Sequence, residues 1–317
     1  MPVPATRSYP TARPAGVAAP TVTFLEPPRP TSLDALRSQL VGSSRSLVFV
    51  TDGDRLLRAW GRADRPWALA VEPRGARWRI EAWGADPPAA RAATRALFSL
   101  DHPLPEFYRL VRADPVLAGT ERRFRGLRLP RDPTVFESLV HAILGQQISV
   151  VAARAIERRL FEATGGLLRA GAVDVPHPPS PRRLAGLTAG ALGAIGMSRA
   201  KAAALRALGA WAVDRPAPEP ALAAAPLARA IAMLDALPGV GPWTAENALL
   251  RGAGRRDVFV AGDLGVRVAL ERYAGLARRA PEARARAWAD RHYPGWGSYA
   301  TFYLWRRLVA DSASAAG

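Results

Sequence analysis

Cysteine is absent from all 317 residues, which excludes disulfides, cysteine-ligated zinc, iron–sulfur clusters and thiol nucleophiles together. Lysine is nearly absent. Lys201 is the one example, and every other basic side chain is arginine. A Walker loop needs Gly-Lys-Ser/Thr, and Lys201 follows Ala200, so phosphate-cradling NTPase chemistry of that type is excluded. Ser198 and Lys201 form S-x-x-K, but the K-T-G partner of serine β-lactamases would require a second lysine. Histidine is scarce too: His102, His141, His177 and His292 stand apart, without ligand spacing such as H-E-x-x-H, and no histidine-rich metal site is expected. No apolar run approaches the roughly 18 residues of a membrane helix. The opening Met1-Pro-Val-Pro-Ala-Thr-Arg7 lacks the apolar core of a signal peptide. A soluble cytoplasmic chain with no membrane partner is expected.

What the chain has in excess is positive charge: 44 Lys+Arg against 27 Asp+Glu give a net charge of +17. Such a balance favours a polyanionic partner, and nucleic acid fits a soluble chain better than a lipid surface. The length exceeds one typical domain. Residues 1–20, rich in Pro, Ala, Thr and Arg without apolar periodicity, read as a disordered basic tail. Residues 21–100 read as a small antiparallel α+β domain. Asp52-Gly53 separates the run from Ser46 to Val50 from Arg55-Leu-Leu-Arg-Ala-Trp60, and Pro73-Arg-Gly75 separates Trp67–Val71 from the alternating Arg77–Trp83, which predicts two hairpins. Pro87 and Pro88 then open a helix.

Residues 101–317 read as all-helical, so the fold class is mainly α with an α+β annex: a small N-terminal antiparallel sheet domain followed by a helical domain. Thr134 caps a helix with Glu137 three residues on, and Phe136, Leu139, Val140, Ile143 and Leu144 fall on one face. A helix resumes from Val150 to Phe161, and the Pro-rich stretch Val175–Pro181 reads as a loop. Short helices are expected at 184–187 and 191–195, and a longer one from Ser198 to Val213. Leu227–Leu237 reads as a helix, followed by Pro238-Gly-Val-Gly-Pro-Trp-Thr-Ala-Glu-Asn247 and a second helix to about Arg251. Two glycines in four residues permit a tight turn and close backbone approach, and the helix start offers unpaired N–H groups to a phosphate. Asp263 sits where the N-cap of the next helix belongs, since Val266, Leu270 and Tyr273 follow at helical spacing. Backbone donors and the helix dipole favour a charged carboxylate at such a position, which suits it to stabilise a developing cation.

Leu237-Pro-Gly-Val-Gly241 with Asp263 downstream, preceded by Phe136-Glu-Ser-Leu-Val-His-Ala-Ile-Leu-Gly-Gln-Gln-Ile-Ser149 and Gly196-Met-Ser-Arg-Ala-Lys201, resembles the helix-hairpin-helix (HhH-GPD) DNA glycosylase superfamily. The nearest branch is the AlkA-like 3-methyladenine DNA glycosylase II type, and the likeness covers about the last two thirds of the chain. The resemblance implies a bacterial base-excision enzyme, associated with the nucleoid through DNA and acting as a monomer, that flips an alkylated purine from damaged duplex DNA and hydrolyses its glycosidic bond. It puts the catalytic aspartate at Asp263, twenty residues after Trp243. Trp243, Trp296, Tyr299 and Leu264 fall on the base pocket. The amides of Gly239 and Gly241 and the hydroxyl of Thr244 fall on phosphate contacts, and Gln147 on the wedge that enters the duplex. No cofactor is implied for catalysis, but the carbonyls of Asp235, Leu237 and Val240 fall where family members hold a monovalent cation.

The chain departs from that pattern at Leu264 and Asn247, where tyrosines are usual, and at Gln147, where the wedge is apolar. These changes bear on the lesion spectrum. Bifunctional relatives carry a lysine two residues after the second hairpin glycine, whereas Gly241 is followed by Pro242 and Trp243, so a monofunctional enzyme is expected. The alternatives are a glycosylase for uracil, hypoxanthine or an oxidised purine on the same scaffold, and a non-catalytic binding module. Asp263 weighs against the last, because a carboxylate beside a polyanion repels it.

Overall fold

The computed structural model describes residues 19–41, 47–62, 65–164, 166–215, 217–278 and 280–314, so all but the end of the expected tail at 1–20 lies outside the described residues. The first element, β1 (Thr21–Leu25), and the helix α1 (Leu33–Val41) have no clear sequence signature. Next come β2 (Phe49–Asp52), β3 (Arg55–Trp60), β4 (Trp67–Arg74) and β5 (Arg77–Trp83), which form the two expected hairpins. Pairing of β3 with β4 joins them, and β1 adds along β5, giving the antiparallel order β1-β5-β4-β3-β2. The helix α2 (Pro87–Leu97) starts at its paired prolines, capped by Asp86, whose carboxylate accepts from the amide of Ala89.

Alternation sorts the strand residues onto two faces. Leu56, Leu69, Val71, Trp78 and Ile80 join α1, α2 and the helices in one continuous core. The opposite face, with Leu57, Ala59, Ala68, Ala70 and Trp83, is covered as well. Its cover is a hairpin of β6 (Gly166–Ala170) and β7 (Val173–His177), through Ala170 and Val175. This corrects the reading of Val175–Pro181 as a loop at residues 175–177, leaving a loop at 178–180 before the next helix, and it interrupts the otherwise helical second part. Pro176 is compatible with β7 because a two-stranded ribbon has an outer side that needs no donor.

The remaining helices are α3 (Leu104–Val111), α4 (Thr120–Arg123), α5 (Val135–Gly145), α6 (Val150–Thr164), α7 (Pro181–Gly186), α8 (Ala189–Ala194), α9 (Arg199–Asp214), α10 (Glu219–Ala224), α11 (Leu227–Asp235), α12 (Pro242–Arg251), α13 (Leu264–Ala274), α14 (Glu282–His292) and α15 (Gly297–Ser314). Thr134 caps α5 as expected, accepting from the amide of Glu137 at 3.2 Å. Helix α5 is central. It packs against α6, α9 and α12, so nearly all of its residues are buried rather than one face only. No described helix is long and apolar enough to cross a membrane.

Candidate active site

The hairpin between α11 and α12 is built from its glycines upward. Gly239 has φ +76, and a Cβ there would lie 2.5 Å from the Ala204 Cβ of α9, so both conformation and space require glycine. Gly241 is the N-cap of α12 with no side-chain cap, which leaves first-turn amides for a ligand. Gln146 fastens the turn from the other side: its amide nitrogen donates to the Gly239 carbonyl (2.9 Å) and to the Thr244 hydroxyl (2.8 Å). The Thr244 side chain is buried and engaged there rather than facing outward. Lys201, on α9, donates its ammonium to the Leu144 carbonyl at 2.8 Å and closes the end of α5. Within the turn, the Val240 amide bonds the Leu237 carbonyl.

Asp263 caps α13. Its Oδ1 accepts from the amide of Val266 (3.0 Å) and from the indole nitrogen of Trp305 (2.7 Å), and its Oδ2 from the indole nitrogen of Trp243 (3.1 Å). Three neutral N–H donors therefore orient the carboxylate and leave part of its lone-pair capacity open. It stands on the wall of a cleft of about 670 Å³, with Trp243, Asn247, Phe302 and Trp305 beside it and Arg251 and Arg306 also lining the space. Asn247 donates to the Trp243 carbonyl at 2.9 Å, tying the start of α12 together. The Arg251 guanidinium lies 5.4 Å from the Trp305 ring centre.

The structure brings Asp263 and Trp243 together as expected, but it separates other residues from the cleft. Trp296 and Tyr299 are core residues. Trp296 is 6% exposed and Tyr299 fully buried, both packed on Phe107, and Tyr299 meets His102. Neither lines the cleft. The aromatic that does so is Trp305. On α15 it sits six residues beyond Tyr299, roughly 120° around the helix from the face that enters the core. Helical period could have distinguished the two faces, but the partner 42 residues away in Asp263 leaves no local signal. Leu264 is 69% exposed and absent from the cleft wall. Gln147, exposed with φ +56, projects at the turn after α5, next to Ile148 at the cleft.

A second polar group flanks the same cleft and was missed in the sequence. Arg58, 1% exposed on β3, donates to Glu137 and to Asp132 (3.2 Å), and Ser138 donates to Asp132 at 2.5 Å. His141 is paired with Glu157 on α6 and lies 3.6 Å from Glu137. Burial alone would keep its imidazole neutral, but the adjacent Glu157 and Glu137 carboxylates outweigh it and raise the pKa to about 9. Asp132, Glu137 and His141 converge closely enough to suggest a metal site, yet Arg58 already occupies the carboxylates with its charge. His102, in contrast, is pushed down to about 4 by burial and by Arg131, Arg256 and Arg128.

Residues 140–291 match the HhH-GPD superfamily base excision DNA repair protein family. Over 67% of this chain, the sequence is 30% identical to the DNA-3-methyladenine glycosylase of Bacillus subtilis, covering 69% of that protein. It is 35% identical, over 69% of this chain, to the Mycobacterium tuberculosis protein named "Probable bifunctional transcriptional activator/DNA repair enzyme AlkA", of whose length the match spans only 42%. The fold is similar to that of 3-methyladenine DNA-glycosylase from Archaeoglobus fulgidus, with TM-score 0.78 at 23% identity over 90% of this chain and 98% of that one.

Proposed function

Because this chain belongs to the HhH-GPD superfamily of base excision DNA repair proteins, in its AlkA-like glycosylase branch, we propose that it releases 3-methyladenine and 7-methylguanine hydrolytically from damaged duplex DNA. The observation that carries this reading is the Asp263 carboxylate, fixed by two indole N–H groups and one backbone amide on the wall of a cleft large enough for a base. A base inside a duplex is out of reach, so it must be extruded, at a cost smallest for damaged bases that stack or pair poorly. Arginines and the amides of Gly239 and Gly241 hold the backbone, and Gln147 enters where the base has left. N3- or N7-alkylated purines carry positive charge and leave readily. The sugar becomes cationic as the bond breaks, and Asp263 stabilises it while orienting the attacking water.

The reaction is monofunctional in this reading. A Schiff base needs a free amine, and Lys201 is committed to the Leu144 carbonyl and does not line the cleft. The carbonyls of Asp235, Leu237 and Val240 are hard oxygen donors suited to a monovalent cation that would bridge the hairpin to phosphate. The enzyme acts as a monomer in this reading. A panel of duplexes, each carrying one defined lesion, tests the proposal: release of 3-methyladenine and 7-methylguanine without strand cleavage, and no adduct trapped by borohydride, is expected. Release of uracil alone, or a trapped adduct lost in Lys201→Ala, would overturn it.

A further inference from the structure

The turn that delivers Asp263 is tied to α12 twice, and the hydrolysis described above uses only one of the ties. From α12 the Trp243 indole reaches the Asp263 carboxylate. One turn further along the same helix, Glu246 is 1% exposed and accepts from the guanidinium of Arg286, on α14, at 2.5 Å. A second nitrogen of that guanidinium donates to the Phe259 carbonyl at 3.2 Å. Phe259 begins the turn: its carbonyl also accepts from the Ala261 amide, and the Asp263 amide donates back to the Val260 carbonyl. These contacts close a ring, running from α12 through Glu246, Arg286 and the turn to Asp263, and back through Trp243. On its other side the turn is pinned to α15, where the amides of Val258 and Val260 donate to the hydroxyls of Ser298 and Thr301. Glu282, at the start of α14, lies against Gly262, where a Cβ would be 2.9 Å from its Oε1.

We propose that Glu246 and Arg286 are a positioning pair, which sets the Asp263 carboxylate in place for base release and does so only while Glu246 is charged. An ionised carboxylate holds a guanidinium roughly twice as strongly as a neutral acceptor does. Protonated, Glu246 releases Arg286 and leaves the bonds to α15 to hold the turn. Asp263 then shifts from the point where the cation forms, and a misplacement on the order of 1 Å costs up to about a hundredfold in rate. Burial pushes the Glu246 carboxyl up, Arg286 pulls it back and Glu282 adds to the rise, so that it titrates at about 7. Those two are the charged groups that bear on it. Helices α5 and α11, which also pack on α12, add none among the described residues. The assignment rests on the glycosylase reading given above.

The test is the pH profile of single-turnover release of 7-methylguanine from duplex DNA, for the wild type and for Glu246→Gln. The wild-type rate should rise about tenfold with pH, through a midpoint near 7, while DNA affinity stays level. Glu246→Gln keeps the shape of the side chain but cannot ionise, so its rate should stay at the low-pH value throughout. A wild-type rate that is level across this range would overturn the proposal, as would a rise that persists in the variant, whether or not its rates are lower overall. A wild-type enzyme that releases no alkylated base at any pH would instead overturn the glycosylase reading, and this role in base release with it. Should the variant fold poorly, NMR of the wild-type protein decides the matter. The Trp243 indole N–H resonance, assigned through Trp243→Phe, reports the bond to Asp263 and should shift with a midpoint near 7. A resonance unmoved in that range would overturn the proposal.

Discussion

Two sets of carboxylates, Asp263 on the cleft wall and a buried group that reaches the wall through Glu157, are satisfied by opposite means. Asp263 is held by neutral donors: the amide of Val266 and the indoles of Trp243 and Trp305. Asp132, Glu137 and Glu157 are instead met by cations, Arg58 and His141, with Arg131 close enough to Asp132 to feel its charge. Neutral donors fix position without cancelling charge, so the field of Asp263 still reaches a cation forming in the cleft. Cationic partners cancel it. The second group joins β3 to α5 and α6 and contributes cohesion rather than chemistry.

That contrast can be broken from either side. Arg58→Met removes the cation from a buried pair and should cost about 3–5 kcal/mol of stability, because the carboxylates left behind have no solvent to turn to. Thermal or denaturant unfolding would show it, and a loss below about 1 kcal/mol would mean the charges are compensated elsewhere. Asp263→Asn removes charge while keeping shape. Base release should fall about 10²–10³-fold with DNA affinity nearly unchanged. The amide NH₂ would also face the Trp243 indole N–H, donor against donor, and a stability loss of about 1 kcal/mol should accompany it. Single-turnover kinetics that retain most of the activity would remove Asp263 from its role.

The smallest effect sharpens the comparison through pH. The folded pKa of His141 lies at about 9, above its ordinary 6.5, so its stabilisation is complete below about pH 6.5 and declines as the pH rises to and through 9. A gradual fall in melting temperature across that window is expected, flattened in His141→Gln. An imidazole NMR titration centred near 6.5 would contradict the pairing with Glu157.

Local signals were legible in the sequence, and long-range ones were not. Both hairpins of the main sheet, the Thr134 cap, the Gly239–Gly241 turn and the Asp263 cap each depend on residues a few positions apart, and each was found where spacing put it. Strand β1 has only five residues and takes its stability from β5, some sixty positions away. Trp305 is selected by its face on α15 and by Asp263, while Trp296, which the family resemblance put in the base pocket, packs inward on Phe107. Arg58 lies in an ordinary strand pattern. Nothing near it announces carboxylates 74 and 79 residues downstream.

The β6–β7 ribbon has a bearing on how this chain can be divided. It emerges from the helical part yet seals the outer face of the sheet with Ala170 and Val175 against Leu57, Ala59 and Trp83, while the inner face shares its core with the helices. The sheet is thus held on its outer face by a ribbon about a hundred residues along the chain and on its inner face by the core it shares with the helices. Cutting near residue 100 would strip apolar surface from both pieces, so neither fragment should survive as a stable miniature, and the two halves should melt in one cooperative transition.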